Sequence, residues 1–538
     1  MRAAELFVRC LENEGVRYVF GIPGEETLDL MDALAESEGI CFVPARHEQG
    51  AAFMANVYGR LSTYPGVCLA TLGPGATNLI TGVADAFLDR APLVAVTGQA
   101  ARRRAYKESH QYLDVRSLFE PVTKWNARIE LPETIPEVVR KAFRLARLEK
   151  PGATHVELPE DVAAAATEGS PMPVRRTTYP AARPDAIARA AEVIRRAERP
   201  LILAGNGVIR RQASAALTEF AERTRLPVAT TFMGKGAIDA RHELALPAMG
   251  LLSEEASLGP LEEADLVIAV GFDFVEWPPE VWNRDGRLTV LHLDSSPAEV
   301  DRCYPAAAEV VGEIADALRA LTEALRGFHA PAWGWEAFRN WYFQGRELDP
   351  AAFPLRPERV VDDLRRALAP ADILIADVGV HKLWVATRYP AFAPNTVVIA
   401  NGLASMGIAV PGAIAAKLVH PDRRVVAVTG DGGFLMNSQE LETARRLGTA
   451  FVTVVLVDGR FGVIELNQRR RFGRPFGVEF GNPDFELYGR SFGLPSFAIR
   501  TADEFLPTLE RALTLPEPSL IAVPVDSSRS PAVFAEAV

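Results

Sequence analysis

The stretch VVAVTGDGGFLMNSQELETARRLGTAFVTVVLVDGRFG, residues 425–462, contains two apolar runs that end near Asp431 and Asp458, each followed by glycine. Short runs of β-branched and apolar residues bounded by glycine are typical of buried strands. The stretch therefore predicts two strands, each with a carboxylate at its end.

The predicted strands are 424–429 and 450–457, and the residues between them have a helical pattern. Asn437 is predicted to cap this helix, with Glu440 as its capping-box partner and Gly448 as its C-terminal stop. A strand–helix–strand crossover of this length makes the two strands parallel. If the strands are neighbours, which lie about 4.8 Å apart in a sheet, both carboxylates are within reach of one ion.

Two carboxylates at the carboxyl ends of parallel strands predict a cation, because open α/β sheets bind ligands at that edge. Oxygen-only ligands favour a hard ion, Mg²⁺ or Ca²⁺. The glycines beside Asp431 let backbone N–H groups and a helix N-terminus approach an anion. We interpret the pair as a metal-bridged diphosphate site of a kind that lacks a GxxxxGK[ST] loop. The alternative is two Asp-Gly turns that only end strands.

The composition is that of an ordinary globular protein of about three domains, with 538 residues, 48% hydrophobic and 24% charged. A net charge of −11 gives no reason to expect nucleic-acid binding, which favours a basic surface. Four separated cysteines without metal-ligand spacing indicate thiols in a reducing compartment. No apolar run approaches the ~20 residues of a membrane span, so we expect a cytoplasmic protein.

Strands alternate with helical patterns through most of the chain, which predicts the α/β class with doubly wound parallel sheets. Two stretches, 164–185 and 327–356, break the alternation and have the composition of linkers. We therefore predict three α/β domains, at residues 1–165, 183–328 and 355–538.

The first and third blocks share a local plan. Residues 66–99 and residues 424–459 both run strand, Gly-rich turn, helix, strand and polar turn. The likeness lies in the pattern more than in identity, and it predicts two comparable sheets that face each other across a ligand.

GDG followed, after a helix and a strand, by Asn or Asp resembles the signature of thiamine-diphosphate enzymes. The resemblance implies pyrimidine-binding, middle and diphosphate-binding domains. It also implies that the side chains of Asp431 and Asp458 and the carbonyl of Arg460 bind Mg²⁺. Where the family usually carries an Asn-Asn pair, this chain has Val457-Asp458, so that a carboxylate replaces a carboxamide as the ligand.

Glu48 follows a predicted strand in CFVPARHEQG, residues 41–50, and a helix is predicted to start near Gly50. By itself Glu48 is an acid in a first helical turn, where the helix dipole favours it. The resemblance implies a catalytic role, since the family places in such a turn the glutamate that hydrogen-bonds the aminopyrimidine ring and activates the cofactor.

Other segments resemble the family's cofactor contacts: TLGPGATN at 71–78, DVGVHKLW at 377–384 and NGLASMG at 401–407. The resemblance implies that Met406 wedges the cofactor into a bent shape. The full set of implied cofactor contacts is Gly21, Pro74, Asn78, Val378, Gly379, Val380, His381, Met406, Gly430, Gly432, Gly433 and Phe461.

The resemblance also concerns assembly. In this family the activating glutamate of one chain meets the diphosphate-binding half of another. We therefore expect a homodimer or homotetramer, without an obligatory regulatory subunit.

The loop YKESHQYLDVRSLFEPVTKW, which carries His110 and Gln111, is similar to the HQSLD stretch of catabolic acetolactate synthases. The resemblance implies that both residues line the reaction centre and that Gln111 orients a substrate carbonyl. The alternative makes His110 a surface residue. Residues 477–493 also resemble the catabolic enzymes.

The middle block argues against FAD. GFDFVEWPPEVW, residues 271–282, resembles the catabolic version and has Trp277 where FAD-containing relatives carry an arginine. AGNGVIRR, residues 204–211, matches the GxGxxG motif of dinucleotide-binding folds only in part. We therefore predict that FAD is absent.

Some residues depart from the catabolic pattern. Glu25 and Glu26 bring negative charge near a site for anionic pyruvate, unless they point outward or pair with the arginines at 102–104. Leu403-Ala404 and Asn467 differ at positions associated with substrate choice. Each departure concerns the substrate and none concerns the cofactor.

The resulting expectation is an FAD-independent acetolactate synthase that uses thiamine diphosphate and Mg²⁺ to join two pyruvates with loss of one CO₂. The alternatives are a 2-oxo acid decarboxylase, another carboligase such as a glyoxylate-type enzyme, and a non-catalytic partner protein of the same fold. A nicotinamide dehydrogenase is disfavoured by the missing glycine fingerprint.

Overall fold

A computed structural model describes residues 1–175, 177–250, 255–343 and 349–527. Within these ranges the chain forms three six-stranded sheets, and the strands of each sheet are parallel. Helices flank each sheet, which confirms the predicted fold class.

The first sheet has the strand order β2-β1-β3-β4-β6-β5. Its strands are β1 Tyr18–Gly21, β2 Cys41–Pro44, β3 Gly66–Ala70, β4 Leu93–Gln99, β5 Trp125–Arg128 and β6 Ala153–Pro159. Its α-helices are α1 Ala3–Asn13, α2 Leu28–Ala35, α3 Glu48–Ser62, α4 Pro74–Leu88, α5 Val115–Phe119, α6 Ile135–Arg147 and α7 Glu160–Ala163. Short 3₁₀ turns lie at Glu25–Thr27, Arg102–Arg104, Glu120–Val122 and Pro132–Thr134.

The middle sheet has the order β12-β11-β10-β7-β8-β9, the arrangement of a doubly wound nucleotide-binding fold. Its strands are β7 Pro200–Ala204, β8 Val228–Thr231, β9 Ala245–Met249, β10 Leu266–Val270, β11 Thr289–Asp294 and β12 Ala306–Val311. Its helices are α8 Pro184–Arg196, α9 Asn206–Arg210, α10 Ser214–Thr224, α11 Glu255–Glu263, α12 Pro279–Trp282 and α13 Ile314–Ala324. The helix α14 Trp335–Phe343 follows it.

The third sheet has the order β14-β13-β15-β16-β18-β17. Its strands are β13 Ile373–Ala376, β14 Val397–Ile399, β15 Val425–Gly430, β16 Val452–Val457, β17 Ser496–Ala498 and β18 Ser519–Pro524. Its helices are α15 Pro357–Ala367, α16 Val380–Arg388, α17 Ala409–Val419, α18 Asp431–Asn437, α19 Glu440–Leu447, α20 Gly462–Phe472, α21 Phe485–Ser491 and α22 Phe505–Ala512.

The first and third sheets have the same strand order when their strands are numbered from each domain's start. The two domains also share a hydrophobic core, in which Met54 of α3 and Ile414 of α17 are both buried. The pattern likeness between residues 66–99 and 424–459 therefore corresponds to a common topology.

In residues 425–462 the strands agree with the prediction and the helix between them does not. The strands β15 and β16 are parallel neighbours, as predicted. However, the predicted capping box at Asn437 and Glu440 is wrong, because a helix begins at Asp431 directly after β15 and ends at Asn437. A second helix, α19, then runs to a left-handed Gly448, the predicted stop.

The side chains of Asn437 and Glu440 make long-range contacts instead of capping a helix. Asn437 donates to the carbonyl of Gly407 at 3.0 Å. Glu440 Oε1 accepts from the backbone N–H groups of Arg46 at 3.0 Å and His47 at 3.1 Å. This contact joins the third domain to the turn that precedes α3.

Charged contacts join the other domains. Asp273 of the middle domain pairs with Arg90 at 2.8 Å and with Lys150 at 3.2 Å, both from the first domain. Asp89 of the first domain accepts from the N–H of Gly402 at 2.6 Å, which anchors the segment that carries Met406. Among the residues with described positions, no helix is both long and apolar enough to cross a lipid bilayer.

Candidate functional site

Asp431 lies at the junction of β15 and α18 and is only 1% exposed. Its Oδ1 atom accepts from the N–H of Gly432 at 2.8 Å. Its Oδ2 atom accepts from the N–H groups of Asp458 at 3.1 Å and Gly459 at 2.7 Å. The two Asp-Gly turns are therefore one hydrogen-bonded unit.

Asn482 is a further partner of Asp431 that the sequence analysis missed. Its Nδ2 donates to Asp431 Oδ2 at 2.8 Å. The rings of Phe461 and Phe480 lie 4.8 Å apart beside this contact, and a Cβ on Gly432 would lie 3.0 Å from the Phe461 ring. Glycine at this position therefore lets the turn lie close to the rings.

Asp458 is the second carboxylate of the unit. Its burial and, secondarily, the nearby Asp431 raise its pKa to about 6. A cation between two such carboxylates offsets their repulsion, so this donor set fits a hard divalent ion. Asp458 lines a cavity of about 350 Å³ together with Val380 and Arg460. The described residues hold no cluster of three or more His, Cys, Asp or Glu side chains that could bind a metal.

Asp377, at the end of β13, was also missed by the sequence analysis. It is buried, and its Oδ1 accepts from the N–H groups of Val378 at 2.7 Å and Gly407 at 2.8 Å. Its Oδ2 accepts from Ala409 N–H at 3.2 Å. Asp377 thereby holds the turn that precedes α16 beside the segment that carries Met406.

His381 is buried in the first turn of α16, and its Nε2 atom has no hydrogen-bond partner in the part of the chain that the structure describes. Burial lowers the pKa of the imidazole to about 4, so the ring is neutral near pH 7. A Cβ on Gly379 would lie 2.8 Å from this ring, and a Cβ on Gly430 would lie 3.4 Å from it. The unsatisfied nitrogen beside the Gly-rich turns fits an anionic ligand such as a diphosphate.

Glu48 begins α3 and is 9% exposed. The preceding His47 caps the helix, since its Nδ1 accepts from Gln49 N–H at 3.1 Å. Glu48 Oε2 accepts from Asn78 Nδ2 at 3.0 Å. Two of the predicted residues are thus in direct contact, and the carboxylate is held in a fixed orientation.

The other residues predicted in the first domain lie around this pair. Pro74 occupies the first turn of α4, four residues before Asn78. Gly21 ends β1, where a Cβ would lie 2.2 Å from the carbonyl oxygen of Leu69. That close approach between the neighbouring strands β1 and β3 requires glycine.

Gln111 contacts the same turn, because a Cβ on Gly73 would lie 2.8 Å from the Gln111 carbonyl oxygen. Gly73 has φ of +55°, which also favours glycine there. The side chains of His110 and Gln111 are exposed in the single chain. The structure thus brings Gln111 to the Pro74 turn and leaves His110 on the surface of the same loop.

The predicted residues therefore form two groups. One group surrounds Glu48 in the first domain, and the other surrounds Asp431 in the third. Among the described residues of a single chain, no hydrogen bond or ion pair joins a predicted residue of one group to one of the other.

In the middle domain, Glu276 lies at the carboxyl edge of the sheet, where nucleotides bind in such folds. Its carboxylate accepts from Asn206 N–H, at the start of α9, at 3.0 and 3.1 Å and from the hydroxyl of Thr231. Glu276 and Trp277 are both buried. The Glu276 side chain thus occupies the N–H donor of Asn206, which would otherwise face a phosphate.

Family models match all three domains. Residues 1–118 match the thiamine pyrophosphate enzyme N-terminal TPP binding domain, residues 187–321 the central domain and residues 377–523 the C-terminal TPP binding domain.

Similar proteins span nearly the whole chain. The chain is 35% identical to an acetolactate synthase of Bacillus subtilis, over 98% of this chain and 94% of that protein. It is 36% identical to a catabolic acetolactate synthase of Raoultella terrigena, over 99% of this chain and 96% of that protein. It is 34% identical to a probable acetolactate synthase large subunit of Methanocaldococcus jannaschii, over 98% of this chain and 93% of that protein. The chain belongs to the thiamine pyrophosphate enzymes and, among them, to the acetolactate synthase family.

Proposed function

We propose that this protein is an acetolactate synthase that uses thiamine diphosphate and Mg²⁺, but not FAD, to join two pyruvates with the loss of one CO₂. The observation that carries the proposal is that a member of this family has both a part-buried Glu48–Asn78 contact and the Asp431–Gly459 unit. When bound, thiamine diphosphate supplies the thiazolium carbon that attacks a 2-oxo acid and accepts the charge left by CO₂.

Glu48 has the properties of the activating acid. Its N-terminal position on α3 favours the carboxylate, and Asn78 holds one oxygen, Oε2, by a hydrogen bond. The other oxygen, Oε1, has no hydrogen-bond partner among the described residues, so it can form a hydrogen bond with a ring nitrogen. In this role Glu48 controls where a proton resides on the pyrimidine ring and so promotes loss of the thiazolium proton.

The third domain would hold the diphosphate and its ion. Asp431, Asp458 and the Arg460 carbonyl are the proposed Mg²⁺ ligands, and the N-terminus of α18 would face the phosphates. His381 Nε2 can donate a hydrogen bond to a phosphate oxygen when this nitrogen carries the proton of the ring. The remaining proposed contacts are Val378, Gly379, Val380, Met406, Gly430, Gly432, Gly433 and Phe461 on this domain, and Gly21 and Pro74 on the first.

Glu276 supports the absence of FAD. Its carboxyl group caps α9 at the edge of the middle sheet, and a phosphate at that position would overlap its volume and compete for the same N–H donor. A flavin nucleotide would have to displace a buried side chain that accepts hydrogen bonds from one backbone N–H group and from one hydroxyl.

The separation of the two residue groups within one chain supports a homodimer or homotetramer in which each site combines Glu48 from one chain with Asp431 from another. A cytoplasmic location and independence from a regulatory subunit complete the proposal. His110 and Gln111 would line the reaction centre at such an interface, where their exposure in the single chain is removed.

The test is to incubate the purified protein with thiamine diphosphate, Mg²⁺ and pyruvate, without FAD, and to identify the products by NMR. The proposal predicts acetolactate and CO₂. Acetaldehyde alone would make the protein a decarboxylase, and turnover of glyoxylate or longer oxo acids instead of pyruvate would indicate another carboligase. A requirement for added FAD would contradict the role assigned to Glu276.

A further inference from the structure

Glu26 lies in the 3₁₀ turn after β1, and its side chain is 11% exposed. Its Oε2 atom accepts a hydrogen bond from the Thr71 hydroxyl at 3.0 Å. Its Oε1 atom lies 3.9 Å from Nη1 of Arg104. The negative charge at this position is therefore paired. Glu25, by contrast, is exposed.

Arg104 uses its other nitrogens to hold the loop that follows. Nε donates to the Ser109 hydroxyl at 2.7 Å, and Nη2 donates to the His110 carbonyl at 2.9 Å. A guanidinium is suited to this task because its donors have a fixed planar geometry. Arg104 thus links Glu26 to the two residues that precede Gln111.

The loop after Arg104 then packs against the turn that contains Thr71 and Gly73. The backbone of Gln111 packs on Gly73, two residues after Thr71. Thr71, Glu26, Arg104 and the loop therefore form a closed path of contacts. Displacement of Glu26 would release both the Thr71 hydroxyl and the anchor of the loop.

We propose that Glu26 and Arg104 are positioning residues, a pair that holds the loop bearing His110 and Gln111 against the Pro74 turn. The inference rests on the proposed function, because it assigns these two residues to substrate placement. The pair touches neither Glu48 nor Asn78, which contact each other separately. Loss of the pair should therefore impair the use of pyruvate and leave activation of the cofactor unchanged.

A second acidic residue, Glu160, also lies near Arg104, but it is more exposed to solvent than Glu26. Glu160 Oε1 also lies 3.9 Å from Nη1, but its side chain is 38% exposed, against 11% for Glu26. Solvent screening weakens the exposed contact. Glu26 is therefore the dominant anionic partner and the residue to change.

The experiment compares Glu26→Gln with Glu25→Gln, a matched control at the adjacent, exposed position. Glu26→Gln keeps the volume and an acceptor for Thr71 but removes the charge that faces Arg104. We expect the KM for pyruvate to rise about fivefold, the effect of losing one partly buried charged contact, and Glu25→Gln to stay near wild type. The hydrogen–deuterium exchange rate at the thiazolium carbon should not change in either variant.

A double-mutant cycle separates this role from a general structural one. If Glu26 and Arg104 act through one contact, the combined Glu26→Gln/Arg104→Gln variant should show no greater KM effect than Arg104→Gln alone. Additive effects, or equal behaviour of Glu26→Gln and Glu25→Gln, would overturn the proposal.

A readout that needs no activity distinguishes this inference from the proposed function. Lys107 is exposed within the loop, so trypsin cleavage after Lys107, followed by mass spectrometry, reports how firmly the loop is held. Faster cleavage in Glu26→Gln than in Glu25→Gln would support the positioning pair even if the wild type made a product other than acetolactate. Equal cleavage would reject the pair even if the wild type made acetolactate.

Discussion

Asp431 accepts a hydrogen bond from the backbone N–H of Gly459 at 2.7 Å, across two neighbouring strands. The two Asp-Gly turns that stand out in the sequence are therefore already joined by the protein itself. A metal ion placed between them would bind to a preformed arrangement, which lowers the entropy lost on binding.

The two carboxylates should respond differently to neutralisation. Asp431 accepts hydrogen bonds from three backbone N–H groups and from Asn482. In Asp431→Asn the NH₂ group would face some of these donors, which should cost about 1–3 kcal/mol of folding stability. Asp458→Asn should retain cofactor binding within about tenfold, because a carboxamide oxygen can also bind Mg²⁺. Thermal unfolding and Mg²⁺-dependent binding of thiamine diphosphate measure the two effects. Equal losses in both variants would contradict this difference.

Glu48→Gln should bind thiamine diphosphate but exchange the thiazolium proton about 10²–10⁴ times more slowly, since the variant cannot act in proton transfer. Asn78→Ala should slow the exchange only about fivefold, the effect of one lost hydrogen bond. NMR of hydrogen–deuterium exchange measures both rates. An unchanged rate in Glu48→Gln would remove Glu48 from the activating role.

Local motifs led to Glu48, Asp431 and Asp458, because each follows a strand in a recognisable turn. Asp377 and Asn482 were missed, since their partners lie 30 and 51 residues away in the chain. The sequence did carry a signal for Asp377, because this residue begins the segment DVGVHKLW, which resembles a cofactor contact.

The error at Glu440 has the same physical origin. Its spacing from Asn437 fits a capping box, but its partner is the turn at Arg46, 394 residues away. Short spacings in the sequence do not encode such contacts between domains. The alternation of strand and helix patterns nevertheless predicted the fold class, because hydrophobic periodicity is a local property.

His381→Ala should weaken binding of thiamine diphosphate by about five- to tenfold, because the diphosphate would lose one hydrogen bond from a buried donor. His420→Ala, on a partly exposed residue of the same domain, serves as the control. Titration of the cofactor by fluorescence quenching, at pH 7, measures both affinities. Equal affinities would show that His381 faces no phosphate.

Glu276 should make stability depend on pH. Burial raises its pKa to about 7 from the ordinary 4.5, so the folded state retains a proton that the unfolded state releases between these values. The protonated carboxyl group of Glu276 therefore stabilises the folded state by roughly 3 kcal/mol below pH 4.5. This stabilisation is lost as the pH rises through 7. In Glu276→Gln the change in unfolding midpoint between pH 5 and pH 8 should be smaller than in wild type.

The control for this change is Glu280→Gln, four residues along the chain on an exposed position. Its midpoint should follow that of the wild type at both pH values. A Glu276→Gln variant with the wild-type pH dependence would show that the carboxylate is ionised in the folded protein throughout this range.

Complementation tests whether one site combines two chains. Glu48→Gln and Asp458→Ala each disable every site of a homodimer, but a mixed dimer places the intact Glu48 and the intact Asp458 at one shared site. Co-expression with two different affinity tags and tandem purification would isolate the mixed dimer. It should have about half of the wild-type activity, since one of the two symmetric sites is restored. If each site were built within a single chain, both sites of the mixed dimer would carry one defect, and its activity would not exceed that of the parent variants.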